Sequence, residues 1–195
     1  MFLGIQVPVL RKAVRKYTGI QESGIEELLD SPVHEHRFAG LLLLINRYSR
    51  ADDRGRKGVV RFYLKKAVRV NNWDLVDLSA PKILGDFLVS RDRSILYKLA
   101  VSRNLWKKRI SIVSTLALIR KNEYEDTLKL SRILLYDNHD LIHKAAGWML
   151  REVGNRDMRA EENFLKAHAD KMPRTMLRYA IEKFPRDKRQ YYMKK

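Results

Sequence analysis

The chain contains no cysteine. Disulfides, thiolate metal sites and cysteine nucleophiles are therefore excluded, and this usage fits a reducing cytoplasm. Its five histidines are scattered, with no HExxH or similar cluster, so no metal site is expected. Long apolar runs are also missing. The longest, FAGLLLLI (38–45), falls well short of the roughly 18 residues that a membrane span needs, and reads as a buried helix. The opening stretch MFLGIQVPVLRK lacks the charged region and long apolar segment of a secretory signal. No alternating β-branched run bounded by tight turns occurs, so strands are not expected. Hydrophobic residues make up 45%, which excludes a disordered chain.

Acidic residues are scarce relative to basic ones: 23 Asp and Glu face 40 Lys and Arg, a formal charge of +17 over 195 residues. Such an excess attracts a polyanion, and nucleic acid is the first candidate. An anionic membrane surface is a weaker one, because no long basic amphipathic helix stands alone. The bland alternative is a basic surface that only maintains solubility.

What remains is helical periodicity. Apolar stripes predict helices over 7–17, 24–29, 34–49, 56–70, 73–88, 92–101, 105–120, 124–135, 140–153, 158–170 and 174–183. Ser31-Pro32 reads as an N-cap and first helical position, Asp137–Asp140 as a stop followed by a cap, and Gly154-Asn155 as a C-cap. No connection exceeds about six residues, which is the loop length of packed helix pairs. The pattern predicts one all-α domain over 1–195, either a HEAT- or armadillo-like α-solenoid of antiparallel pairs or a compact bundle. The solenoid is favoured because a basic concave face suits a duplex. Residues 186–195 read as a basic tail that frays.

Three residues break the pattern. In DLIHKAAGWMLREV (140–153) the core stripe is Ile142, Ala145, Ala146, Met149, Leu150 and Val153. Trp148 lies about 130° from its centre, at roughly 100° per residue. Its neighbours there are Leu141, Lys144 and Arg151. It either packs on an adjacent helix or forms an aromatic platform for a base or sugar, with cations for phosphates. In LWKKRISIVSTLALIR (105–120), Arg109 sits within the apolar arc of Leu105, Trp106, Val113, Leu116 and Ala117. It must be paired, or reach a wet cleft where its planar fork suits phosphate. In NNWDLVDLSAP (71–81), Trp73 and Asp77 share one helical face, with Asn72 or Asp74 as cap. Asp77 is either an ordinary solvated carboxylate or a charge set to face a cationic sugar.

The blocks NNWDLVDLSAP, LWKKRISIVST, DLIHKAAGWMLREVG and KMPRTMLRYAIEKF resemble the AlkD family of DNA alkylation repair glycosylases, in the family's order and across essentially the whole chain. The resemblance implies a HEAT-like array holding duplex DNA in a concave basic groove. It also implies hydrolytic removal of N3- and N7-alkylpurines without metal, cofactor or deep base flipping. By the same resemblance Asp77 is the catalytic carboxylate, Trp73 and Trp148 pack against sugar and backbone at the lesion, and Arg109 lies in the cleft. Arg151 then contacts phosphate, with Lys144 and Arg174 on the same DNA-binding surface, and Gln6 and Arg11 belong to an N-terminal stretch that touches DNA. The partner is duplex DNA with alkylated bases. The chain is expected to act as a monomer without membrane or obligate protein partner, in the cytoplasm at the nucleoid. Family members typically carry about two further helices upstream, so Phe2, Leu3 and Ile5 are expected to pack poorly or to sit at a contact. A non-catalytic damage-sensing repeat protein and a HEAT-type scaffold remain as alternatives. The joint retention of Trp73, Asp77, Arg109 and Trp148 favours the enzyme.

Overall fold

The computed structural model describes residues 1–17 and 19–194, and among these every regular element is helical. The order is α1 (Val7–Val14), α2 (Glu22–Asp30), α3 (His34–Arg50), α4 (Asp53–Lys65), α5 (Trp73–Ser79), α6 (Asp86–Leu88), α7 (Ser94–Ala100), α8 (Leu105–Ser114), α9 (Leu116–Ile119), α10 (Glu125–Leu134), α11 (Asp140–Gly154), α12 (Met158–His168), α13 (Arg174–Ala180) and α14 (Arg186–Lys194). Helices α3, α5, α8, α11 and α13 pack side by side in one row, and α2, α4, α7, α10 and α12 flank it. This is the HEAT-like all-α solenoid expected from the helix lengths and short connections. One continuous apolar core runs between the two layers, from Val14 to Tyr192.

The apolar stripes set these elements. In α11, all six stripe residues from Ile142 to Val153 are buried. Side-chain caps fix several starts: Asp52 accepts from the Gly55 amide, Asn72 from Trp73, and Asn104 from Trp106 and Lys107.

Several local expectations change. Ser31 is not a helix cap; α3 begins at His34, and the Ser31 hydroxyl accepts from the Val33 amide. The cap of α11 does fall within the expected 137–140 stretch, at His139, whose Nδ1 accepts from the Leu141 amide. The expected C-cap at Gly154-Asn155 is present, with α11 ending at Gly154 and Asn155 capping it without a left-handed residue; Gly154 makes room for the Glu161 side chain, which a Cβ there would overlap. The predicted helix 73–88 is interrupted by a π turn at Pro81–Gly85, with the Gly85 amide bonded to the Ala80 carbonyl at 2.8 Å. Gly85 is required at this point, because a Cβ would lie 2.2 Å from the Ser114 carbonyl of the next helix in the row. Of the stretch expected to be a basic tail, residues 186–194 form helix α14, and Lys195 lies outside the described residues. Tyr192 is buried edge-on against Phe184, which gives this strongly basic segment an apolar anchor.

Phe2, Leu3 and Ile5 are exposed, while the backbone around them is tied down. Glu35 accepts from the Leu3 and Gly4 amides at 2.8–3.0 Å, Gly4 takes the positive φ this turn requires, and the Phe2 ring lies 4.6 Å from the His34 ring.

Candidate active site

The N-terminal turn of α5 is held from both sides. Asn72 caps it at 2.7 Å, and Asp74 accepts from its neighbouring Leu75 amide and meets His34 Nε2 at 2.8 Å. On the buried face, Leu75, Val76 and Ser79 are packed, and the Ser79 hydroxyl pairs with Tyr63 Oη at 2.9 Å. With that face pinned, Trp73 and Asp77 are turned together to the opposite side, where Trp73 is exposed and Asp77 half-buried.

Arg109 answers the question raised by its place in an apolar arc. Its side chain is buried and clamps Asp77 with both edges: Nε donates to Oδ1 at 3.0 Å and Nη2 to Oδ2 at 2.8 Å. Nη1 donates to the Leu141 carbonyl at 2.5 Å, bridging α8 to α11. The guanidinium is thus both an ion-pair partner and a cleft residue, and three of its five N–H groups serve the carboxylate and the frame. Bidentate contact fixes the Asp77 rotamer and leaves each carboxylate oxygen a second lone-pair direction. Burial raises the Asp77 carboxyl above its ordinary 3.8, with the Arg109 hydrogen bonds and charge opposing and Asp74 adding to the rise.

Trp73, Asp77, Arg109, Leu141, Lys144, Trp148, Arg151 and Tyr179 line one cavity of about 340 Å³. Six of the nine residues singled out in the sequence therefore meet: Trp73, Asp77, Arg109, Lys144, Trp148 and Arg151. Trp148 combines its two possible roles. Its body rests on the core while its face lines the cavity, and its Nε1 donates to Glu152 at 3.0 Å. Lys144 pairs with Asp140 at 2.7 Å, and that hydrogen bond and charge raise its pKa. Arg151 is bonded to Glu182.

The other three lie elsewhere. Gln6 is the exposed N-cap residue of α1, Arg11 lines a different cavity, and Arg174 donates to the Met193 carbonyl at 2.8 Å, tying α13 to α14. Tyr179 was missed. It reaches the cavity because α11 and α13 nearly touch at Gly147, where a Cβ would lie 2.4 Å from the Met176 carbonyl and 2.6 Å from Tyr179 Cβ. The available signal was the one that marked Trp148: an aromatic about 130° off the Met176–Leu177–Ala180–Ile181 stripe.

Chemically, the site is a carboxylate at the floor of an aromatic and cationic pocket. The profile of the DNA alkylation repair enzyme family matches residues 1–184. The chain belongs to the DNA alkylation repair enzyme family. Among solved structures, it is similar to a predicted DNA alkylation repair enzyme from Enterococcus faecalis, with 18% identity and a TM-score of 0.74 over 95% of this chain and 89% of that one. At that identity the likeness establishes the fold. No curated protein matches the sequence. Among the described residues, no helix of this family member is long and apolar enough to cross a membrane.

Proposed function

We propose that the protein is a monofunctional DNA glycosylase that hydrolyses the N-glycosidic bond of cationic N3- and N7-alkylpurines in duplex DNA. The observation that carries this reading is the Asp77 carboxylate, clamped by Arg109 between Trp73 and Trp148 at 2.8–3.0 Å. An alkylated purine already bears positive charge and leaves with the bonding electron pair without a general acid. The charge that then develops resides on C1′ and O4′ of the sugar. A fixed carboxylate in a half-dry pocket stabilises that oxocarbenium-like centre without reorganising. The tryptophan faces add attraction for the cation. A water held on a free lone pair of Asp77 attacks C1′, and its proton passes to the carboxylate or to solvent.

In this reading Lys144 and Arg151, which line the same cavity as Asp77 and Tyr179, take the flanking phosphates. Lys144 supports hydrolysis over lyase chemistry, because an ammonium paired with Asp140 is a poor nucleophile for a Schiff base. The array is read as a monomer acting on a duplex laid across the exposed face of the helix row, at the nucleoid.

The test is release of 7-methylguanine from a duplex under enzyme excess. Release, with duplex affinity that falls steeply with salt, supports the glycosylase. Salt-sensitive duplex binding with no release indicates a damage-binding protein, and binding that survives high salt indicates a scaffold.

A further inference from the structure

Two side chains that line the Asp77 cavity converge on one carboxylate behind it. The Trp148 indole Nε1 donates to Glu152 Oε1 at 3.0 Å, and Arg151 Nη2 lies 3.9 Å from the same oxygen. Glu152 is partly buried and, among the described residues, is not one of those lining the cavity. It stands in the last turn of α11, where the unpaired carbonyls make a carboxylate unfavourable. The residues three and four positions before it are Met149 and Trp148, so no cation on the preceding turn of its own helix offsets this cost. Arg151 is already bonded to Glu182, and the longer contact with Glu152 adds little to it. Among the described residues, the indole bond is the one hydrogen bond that the Glu152 side chain makes.

The indole, in turn, depends on that acceptor. Nε1–H is the single polar group of the ring and only donates. The torsion about Cβ–Cγ has a broad, roughly two-fold preference, so the ring can turn over at little intrinsic cost. Turning it over carries Nε1 to the other edge, away from Glu152. A charged acceptor therefore selects one of the two orientations. The selected one sets the indole against the core with its face beside Trp73, Asp77 and Arg109. We infer that Glu152 is a positioning residue for base release: its carboxylate locks the Trp148 indole in the orientation that packs against the sugar whose cation Asp77 stabilises. This rests on the glycosylase reading of the Asp77 cavity and gives that reaction a residue outside the cavity. A loose ring lowers the fraction of bound complexes that are correctly arranged, so it slows the step on bound DNA. Affinity holds or rises, because a negative charge near the duplex phosphates is lost.

The test uses the full chain with Glu152→Ala and Glu152→Gln, compared with wild type and with Glu182→Ala. Release of 7-methylguanine is followed under saturating enzyme excess, and duplex affinity is measured separately. Glu152→Ala should slow release about tenfold without weakening binding. Glu152→Gln keeps a neutral acceptor in place and should return release to within about threefold of wild type. Glu182→Ala frees Arg151 but leaves the indole bond, and should release at the wild-type rate. In parallel, nitrogen-15 labelling gives an indole N–H resonance for each of the three tryptophans, and that of Trp148 is identified by its loss in Trp148→Phe. It should move upfield and exchange faster with solvent in Glu152→Ala, and stay near its wild-type position in Glu152→Gln. Circular dichroism melting checks folding; if Glu152→Ala is unfolded, Glu152→Asp, one methylene shorter, replaces it. Wild-type release by Glu152→Ala, or an unmoved Trp148 resonance, would overturn the role. So would Glu152→Gln as slow as Glu152→Ala, which assigns the effect to charge, or an equal fall in Glu182→Ala, which assigns it to Arg151. A wild type that releases no base removes the glycosylase reading. The Trp148 resonance with duplex bound then decides the positioning by itself, and a ring that keeps its place in Glu152→Ala overturns it.

Discussion

Glu161 offers a stability prediction with a defined sign. Its side chain is 1% exposed, it fills the space a Cβ on Gly154 would occupy, and its Oε1 has no hydrogen-bond partner. Burial pushes the carboxyl from 4.5 up to about 8, the neighbouring Glu162 adds to the rise, and Arg151 opposes it. The folded protein therefore keeps this proton at a pH where the unfolded chain has released it. Below 4.5 both states are protonated and the group is neutral in its effect. From 4.5 to about 8 the folded state loses stability at about 1.4 kcal/mol per pH unit, and above 8 the loss is constant. Over the whole window that amounts to about 5 kcal/mol as an upper bound. Glu161→Gln keeps the shape and stays neutral throughout. Its stability relative to wild type, from urea denaturation, should be nearly unchanged at pH 5 and higher by several kcal/mol at pH 8. Other titrating groups cancel in the difference. A difference that does not vary between pH 5 and pH 8 would refute a neutral buried Glu161.

Three further outcomes follow from the geometry. Gly147→Ala should force α11 and α13 apart at the Met176 carbonyl and destabilise by about 1–3 kcal/mol in urea titrations, with Tyr179 displaced from the cavity. Trp148→Ala should lower both the rate of base release and the preference for the lesion; excision at the wild-type rate would reduce Trp148 to a packing residue. Because burial raises the Asp77 carboxyl, single-turnover release should fall with decreasing pH through an apparent pKa above 3.8, as the protonated acid can no longer stabilise the sugar cation. An acid limb at or below 3.8 would contradict the half-dry pocket.

The helices were legible because their apolar stripes are regular, and Trp148 and Arg109 stood out by violating those stripes. Asp77 was not separable from a solvated carboxylate by periodicity. Its meaning came from the surrounding block and then from the Arg109 clamp, a contact across 32 residues of chain. The π turn escaped because nothing local marks it: Pro81 is compatible with the first turn of an ordinary helix, and Gly85 is explained only by the Ser114 carbonyl it approaches. Glu161 escaped for a similar reason, since its burial depends on the gap left at Gly154. Tyr179 carried the same off-stripe signal as Trp148, but its meaning depends on how closely two helices pack. The anchoring of α14 through Tyr192 shows that a tail rich in charge folds when one aromatic finds a core edge.

The central claim is that Asp77 serves the reaction and not the affinity. The most direct measurement is single-turnover release of 7-methylguanine by wild type and Asp77→Asn, with duplex affinity measured in parallel. The expected result is that release nearly disappears while affinity holds or rises, because the substitution removes a negative charge that repels the duplex phosphates. Release by Asp77→Asn at the wild-type rate, or a large loss of binding in that variant, would contradict the account.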